Sequence, residues 1–222
     1  MTRFALSLLL ILSPIGVTYA GGNDDLDIDK VNGSIQVPDN ATVGKLSTVN
    51  GSVHVGANAH AKSAETVNGG IDVETGATLD SLETVNGGLH LNDKVRIAKT
   101  VETVNGSITL GAGADVAGHL SNVNGGIKLD AAHVGGGIET VSGDITIGAN
   151  SRVEGGVLMD EDHSWFHMSS SRKPRVVIGP HATVQGKLTF KREVDFYVSD
   201  SATIGAVEGA TPTKFSGDQP PQ

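Results

Sequence analysis

The sequence predicts an all-β fold: a single-stranded parallel β-helix, a solenoid of about ten 18-residue coils. Three observations predict it. Val-Asn-Gly begins at Val31, Val49, Val67, Val85, Val104 and Val123, with Val-Ser-Gly at Val141, so the step is always 18 or 19 residues. After each copy, apolar and polar residues alternate with the period of a strand. The chain also carries 30 glycines and only 4% aromatic residues, which disfavours helices and leaves a thin core of Val, Ile, Leu and Ala.

In chain order, residues 1–20 read as a secretory signal peptide. Arg3 gives a positive start, Phe4 to Leu12 is an uncharged apolar run, Pro14 and Gly16 end it, and Ala20 precedes the expected cut. The run is too short for a transmembrane anchor. Export to the periplasm, the cell surface or the medium is therefore expected, with residues 21–222 as the mature chain. The absence of cysteine removes lipid attachment, disulfides, thiol catalysis and thiolate metal sites. The net charge of −9 becomes one unit more negative when Arg3 leaves, which argues against a nucleic-acid partner.

Residues 21–208 form the repeat domain. With the Val as position zero, aliphatic residues stand at plus four (Ile35, Val53, Ile71, Leu89, Ile108, Ile127, Ile145). A second set stands at plus six (Val37, Val55, Val73, Leu91, Leu110, Leu129, Ile147). Others fall near plus twelve (Val43, Leu79, Ile97, Val116, Val153) and three before the next Val (Leu46, Leu82, Val101, Leu120, Ile138). Each unit thus holds three short strands with an apolar inner face. Such coils stack at ~4.8 Å into a rod on the order of 50 Å long. A single coil cannot bury its apolar face, whereas stacked coils share one core. The paired aliphatics and the Asn-Gly corner favour right-handed winding over the left-handed hexapeptide type. The template returns without Asn-Gly at 147–157, 178–188 and 198–207, read as three further coils. Residues 158–177 are too many for a corner and read as a protruding loop. Residues 209–222 lack the period, are rich in Pro and Gly, and read as a disordered tail.

The unit TVNGGIDVETGATLDSLE resembles the repeats of a secreted bacterial adhesin-type β-helix family. The coils of 147–207, with their "IG…A.V.G.L" pattern, resemble those of bactofilins, the polymer-forming bacterial scaffold proteins. The resemblance covers roughly residues 26–208, implies a structural or adhesive β-helix, and supplies no catalytic residue. Bactofilins are typically cytosolic, so the signal peptide keeps their cytoskeletal role from carrying over.

Asn32, Asn50, Asn68, Asn86, Asn105 and Asn124 are expected to stack as an amide ladder, with the following Gly turning at positive φ and the preceding Val entering the core. Asn32, Asn50, Asn105 and Asn40 also lie in glycosylation sequons, but a glycan on a packed corner would break the stack. Glu65, Glu83, Glu102 and Glu139 form an outward column, read as a solvated face; a calcium-binding repeat module is the alternative. His54, Asp72 and His90 share another outward column, but zinc needs a fourth ligand, so no metal or cofactor is assigned. In the loop, Asp160, Asp162, His163, Trp165, Phe166 and His167 are the candidates for partner contact. His181 in IGPHAT resembles the general base of hexapeptide-type acyltransferases, but no donor-binding element accompanies it. A polysaccharide-acting β-helix enzyme is a further alternative, but the acidic residues are spread by the repeat and aromatics are scarce. The reading is an exported, non-enzymatic structural or adhesin-like protein. Its expected partners are copies of itself, end to end, or cell-envelope components.

Overall fold

A computed structural model describes residues 26–161 and 172–221. Among them the chain forms 26 strands and no helix, all paired in parallel. One sheet contains ten strands, one from each coil. In order they are Ile35–Val37, Val53–Val55, Ile71–Val73, Leu89–Leu91, Ile108–Leu110, Ile127–Leu129, Ile145–Ile147, Arg175–Ile178, Asp195–Ser199 and Thr213–Phe215. The other sheet, of 16 strands, wraps the two remaining faces.

The registers follow from the repeat. Asn32 pairs with Asn50, Asn50 with Asn68 and Asn68 with Asn86. Early coils cross a corner of the larger sheet as unbroken strands: Thr42–Asn50, His60–Asn68 and Thr78–Asn86. The next coil gains one residue between Ile97 and Val101, and its strand divides into Arg96–Ile97 and Val101–Asn105. The extra residue accounts for the first 19-residue step.

The inner columns are the predicted ones. Ile35, Val53, Ile71, Leu89, Ile108 and Ile127 are at most 1% exposed, and Leu46, Leu82, Val101 and Leu120 match them on the opposite face. Each such side chain contributes about 1.5–3 kcal/mol by leaving water. At the vertex after plus six, position nine is left-handed in coil after coil: Asn40, Asn58, Gly76, Lys94, Gly113 and Asn150 have φ between 55° and 76°. The next residue turns back into a narrow vertex, where Ala59, Ala77, Ala114 and Ala182 are fully buried.

Several expectations need correction. The Val of Val-Asn-Gly does not enter the core: Val31 is 41% exposed, and Val49, Val67, Val85, Val104 and Val123 are half-buried. The preceding Thr takes the inner place instead, because Thr84 lies two residues from Leu82 and so shares its face. The Gly turns at positive φ only at Gly33, Gly125 and Gly143. At Gly87 and Gly106 a Cβ would strike the carbonyl oxygen of the Gly one coil earlier, so close stacking excludes a side chain there.

The segment 147–157 completes the seventh coil rather than opening an eighth, since Ile147 ends that coil's strand Ile145–Ile147. The tail supplies the tenth. Thr213–Phe215 pairs with Asp195–Ser199, Phe215 is 5% exposed, and Arg175 Nη2 donates to the Pro221 carbonyl at 2.6 Å. The tail is thus not disordered over this stretch: one aromatic ring anchors it without any help from the period. Phe190 and Phe196 pack with ring centroids 5.0 Å apart beneath it. The interruption is also shorter than 158–177, because Val157–Met159 and Arg175–Ile178 are strands within the stack.

Candidate functional site

The ten-stranded sheet presents its odd positions outward. At plus five these are Gln36, His54, Asp72, His90, Thr109, Lys128 and Thr146. Beside them, at plus three, stand Ser52, Gly70, Gly88 and Ser107, whose small side chains leave a groove of about 550 Å³ along the sheet. His54 and Asp72 line this groove, and with Glu74 beside it they form a group of metal-ligating side chains. His54 Nδ1 stands 3.5 Å from Asp72 Oδ2, and His54 Nε2 stands 4.0 Å from Glu74 Oε1. One ligand atom each from His54, Asp72 and Glu74 can be drawn with all three within 4.8 Å of one another. Asn92 Nδ2 donates to Glu74 Oε2 at 3.2 Å, which turns the other carboxylate oxygen toward His54. Asp72 Oδ1 is shielded from solvent and has no hydrogen-bond partner among the described residues. His90 pairs in register with Asp72 on the far side. The sequence column contains His54, Asp72 and His90 but misses Glu74. That residue lies two positions beyond Asp72, where the strand has ended and simple alternation no longer predicts direction.

The six Asn residues form one continuous ladder. Each Nδ2 donates to the Oδ1 one coil earlier, from Asn50 to Asn32 through Asn124 to Asn105, at 3.0–3.1 Å. A second ladder lies inside. Thr48, Thr66, Thr84 and Thr103 donate through Oγ1 to the carbonyls of Gly33, Gly51, Gly69 and Gly87, tying each coil to its own start. Asn122 replaces Thr in the next coil and donates to the Gly125 carbonyl at 2.7 Å. The signal for this column is the Leu-x-Thr spacing in Leu82-Glu83-Thr84, read as alternation.

In the Glu column, Glu65 meets Lys45 at 3.0 Å and Glu102 meets His119 at 3.5 Å. Glu83, between them, has no such partner among the described residues. Burial, then the carboxylates of Glu102 and Glu65, push its carboxyl above the usual range. His181 is exposed with φ 57°, in the same left-handed corner column as Asn150, and its backbone N–H donates to Ser201 Oγ at 3.1 Å.

Among the loop candidates, Asp160 is 7% exposed and accepts from Lys191 Nζ at 2.9 Å, while its N–H donates to the Thr140 carbonyl. It is therefore built into the edge of a coil rather than displayed on a protruding loop. Asp162, His163, Trp165, Phe166 and His167 lie outside the described residues. Among the described residues no helix is long and apolar enough to cross a membrane. Comparison with protein-family models, with curated proteins and with solved structures finds no match to this chain.

Proposed function

We propose that this chain is an exported, non-catalytic β-solenoid rod serving as a rigid spacer or scaffold in the cell envelope, with end-to-end assembly or envelope components as its partners. One observation carries the reading: the residues that recur are the ones used to hold the coils. The repeated Asn bonds to the next Asn, the Thr before it bonds to a Gly carbonyl, and the Gly permits the close approach. A motif used up in this way has no group left over for catalysis. The leader-like residues 1–20 support export, and the likeness to secreted adhesin-type repeats supports a structural role.

The ends favour assembly. Ile28–Asn32 and Ile35–Val37 at one end, and Thr203–Ile204, Val207–Glu208 and Thr213–Phe215 at the other, are terminal in their sheets and have no further strand paired to their outer edges among the described residues. The exposed large apolar side chains among the described residues, Leu26 and Val31, both belong to the first coil.

Sedimentation velocity and electron microscopy of the mature chain, from micromolar to millimolar concentration, test the assembly. Multiples of one rod length are expected, and Val31→Glu should shorten them; a strict monomer at millimolar concentration removes self-assembly. Cell fractionation with mass spectrometry tests export. An envelope-associated chain beginning at Gly21 is expected, whereas an intact chain in the cytoplasm would overturn it.

A further inference from the structure

We propose that His54, Asp72 and Glu74 form a binding site for one borderline divalent metal ion of the zinc class, on the outer face of the ten-stranded sheet. Among the described residues, two histidines are flanked by two carboxylates each, His133 and His54, and they differ in a telling way. His133 Nδ1 lies 2.6 Å from Asp115 Oδ1, and its Nε2 lies 3.4 Å from Glu154 Oε1, so both nitrogens are engaged in an ordinary ion-pair ladder. His54 has the same neighbours at 3.5 and 4.0 Å, and it makes no hydrogen bond with either. Instead the three ligand atoms converge within 4.8 Å of one another. Zinc-bound nitrogen and oxygen atoms lie ~2.0–2.2 Å from the metal. Bringing one nitrogen of His54 and one oxygen of each carboxylate onto one ion therefore needs side-chain adjustment, which side chains that are 38–48% exposed can make.

Two further features point to a ligand. Asp72 Oδ1 is shielded from water and has no partner among the described residues, while the side chain as a whole is 48% exposed and faces His54 through Oδ2. Glu74 is held through its other oxygen by Asn92, the kind of outer contact that orients a metal ligand. The backbone beneath is rigid: His54 and Asp72 sit opposite each other in parallel register, on strands whose inward residues are buried. The ligand set also selects the ion. One imidazole with two carboxylates suits zinc, cobalt or nickel, whereas calcium and magnesium prefer an all-oxygen shell. Three protein ligands leave a fourth position for water or for a group on a partner, as in open zinc sites. The groove along Gly70 and Gly88 gives that position access from solution.

The test is calorimetric titration of the EDTA-treated, dialysed full chain with zinc chloride, with cobalt(II) visible absorption as a second readout. One equivalent of zinc is expected to bind in the micromolar range, with cobalt giving the intense bands of a low-coordinate site and calcium giving no heat. His54→Ala and Asp72→Asn should each weaken that equivalent at least tenfold. His133→Ala should leave it unchanged. Circular dichroism and melting of the variants establish that they fold, since the mutated side chains are outside the core. Three outcomes would overturn the proposal: no zinc binding below millimolar concentration, tight binding that persists in His54→Ala (as for a site within residues 162–171), or equal loss in His133→Ala.

Discussion

The Asn ladder makes a quantitative prediction because its bonds are shared. Asn68 donates to Asn50 and accepts from Asn86, so Asn68→Ala removes two ladder bonds; Asn86→Ala likewise removes two. Asn32 and Asn124 stand at the ends, and each takes part in one. These amides are exposed, so each bond is set at about 0.5–1 kcal/mol. The end variants should then lose about 0.5–1 kcal/mol and the interior ones about 1–2 kcal/mol. The double variant Asn68→Ala/Asn86→Ala removes three bonds rather than four, because the Asn86–Asn68 bond is counted in both single variants. Its loss should fall short of the sum of the singles by the worth of one bond, about 0.5–1 kcal/mol. The pair Asn32→Ala/Asn124→Ala shares no bond and should be additive. Urea unfolding followed by circular dichroism reads all of these. If interior variants cost no more than end variants, or if both doubles are additive, the amides are not working as a ladder.

Other positions give sharper or opposite effects. Ser142 pairs in register with Asn124, so Ser142→Asn should extend the ladder and raise stability by about 0.5–1 kcal/mol in the same urea assay. Gly87→Ala places a Cβ against the Gly69 carbonyl oxygen and should cost about 2–3 kcal/mol, seen as a lower melting temperature. Lys94 holds φ 59° at a corner where other coils use Gly or Asn, so Lys94→Gly should stabilise by about 1 kcal/mol, against the usual penalty of Gly. Glu83 is raised by burial first and by Glu102 and Glu65 next. Folding therefore favours its protonated form, so stability is lost as pH rises from the ordinary value of 4.5 through the folded value and is regained on acidification. Glu83→Gln should raise the neutral-pH melting temperature and flatten that slope, and an unchanged slope would assign the acid dependence elsewhere.

The period was legible because stacking turns a spatial repeat into a sequence repeat. Every coil must offer an inner aliphatic at the same place, so Ile71, Leu89 and Ile108 announce their strand without any knowledge of the neighbours. What escaped was set by geometry that a period does not carry. Val85 and Thr84 are both β-branched and adjacent, and composition favours Val for the core; only counting two residues from Leu82 reverses the choice. Gly87 was expected to turn the chain, but its need comes from a carbonyl in another coil. The string around His181, which resembles that of hexapeptide-type acyltransferases, is also a corner pattern: a left-handed residue followed by a buried Ala, here His181-Ala182 and elsewhere Asn58-Ala59. Phe215 lies outside the period altogether, yet a single buried aromatic suffices to fix the tail as a strand.

The same register decides where this rod can carry chemistry. From Asn32 to Asn124 each Asn bonds to a like residue one coil away, and Thr48, Thr66, Thr84 and Thr103 each bond to a fixed carbonyl, so these coils repeat one another. The plus-five column carries no such repeated bond, and Gln36, His54, Asp72, His90, Thr109 and Lys128 differ from coil to coil. Parallel pairing nonetheless holds them about 4.8 Å apart. That spacing lets neighbouring side chains hydrogen-bond, as the Asn ladder does at 3.0–3.1 Å, and is also close to the span of a shared metal ion. A single substitution in one coil can thus complete or abolish a site without disturbing the stack. His54→Ala and Asn68→Ala separate the two kinds of column, the first expected to change binding at constant stability and the second stability at constant binding.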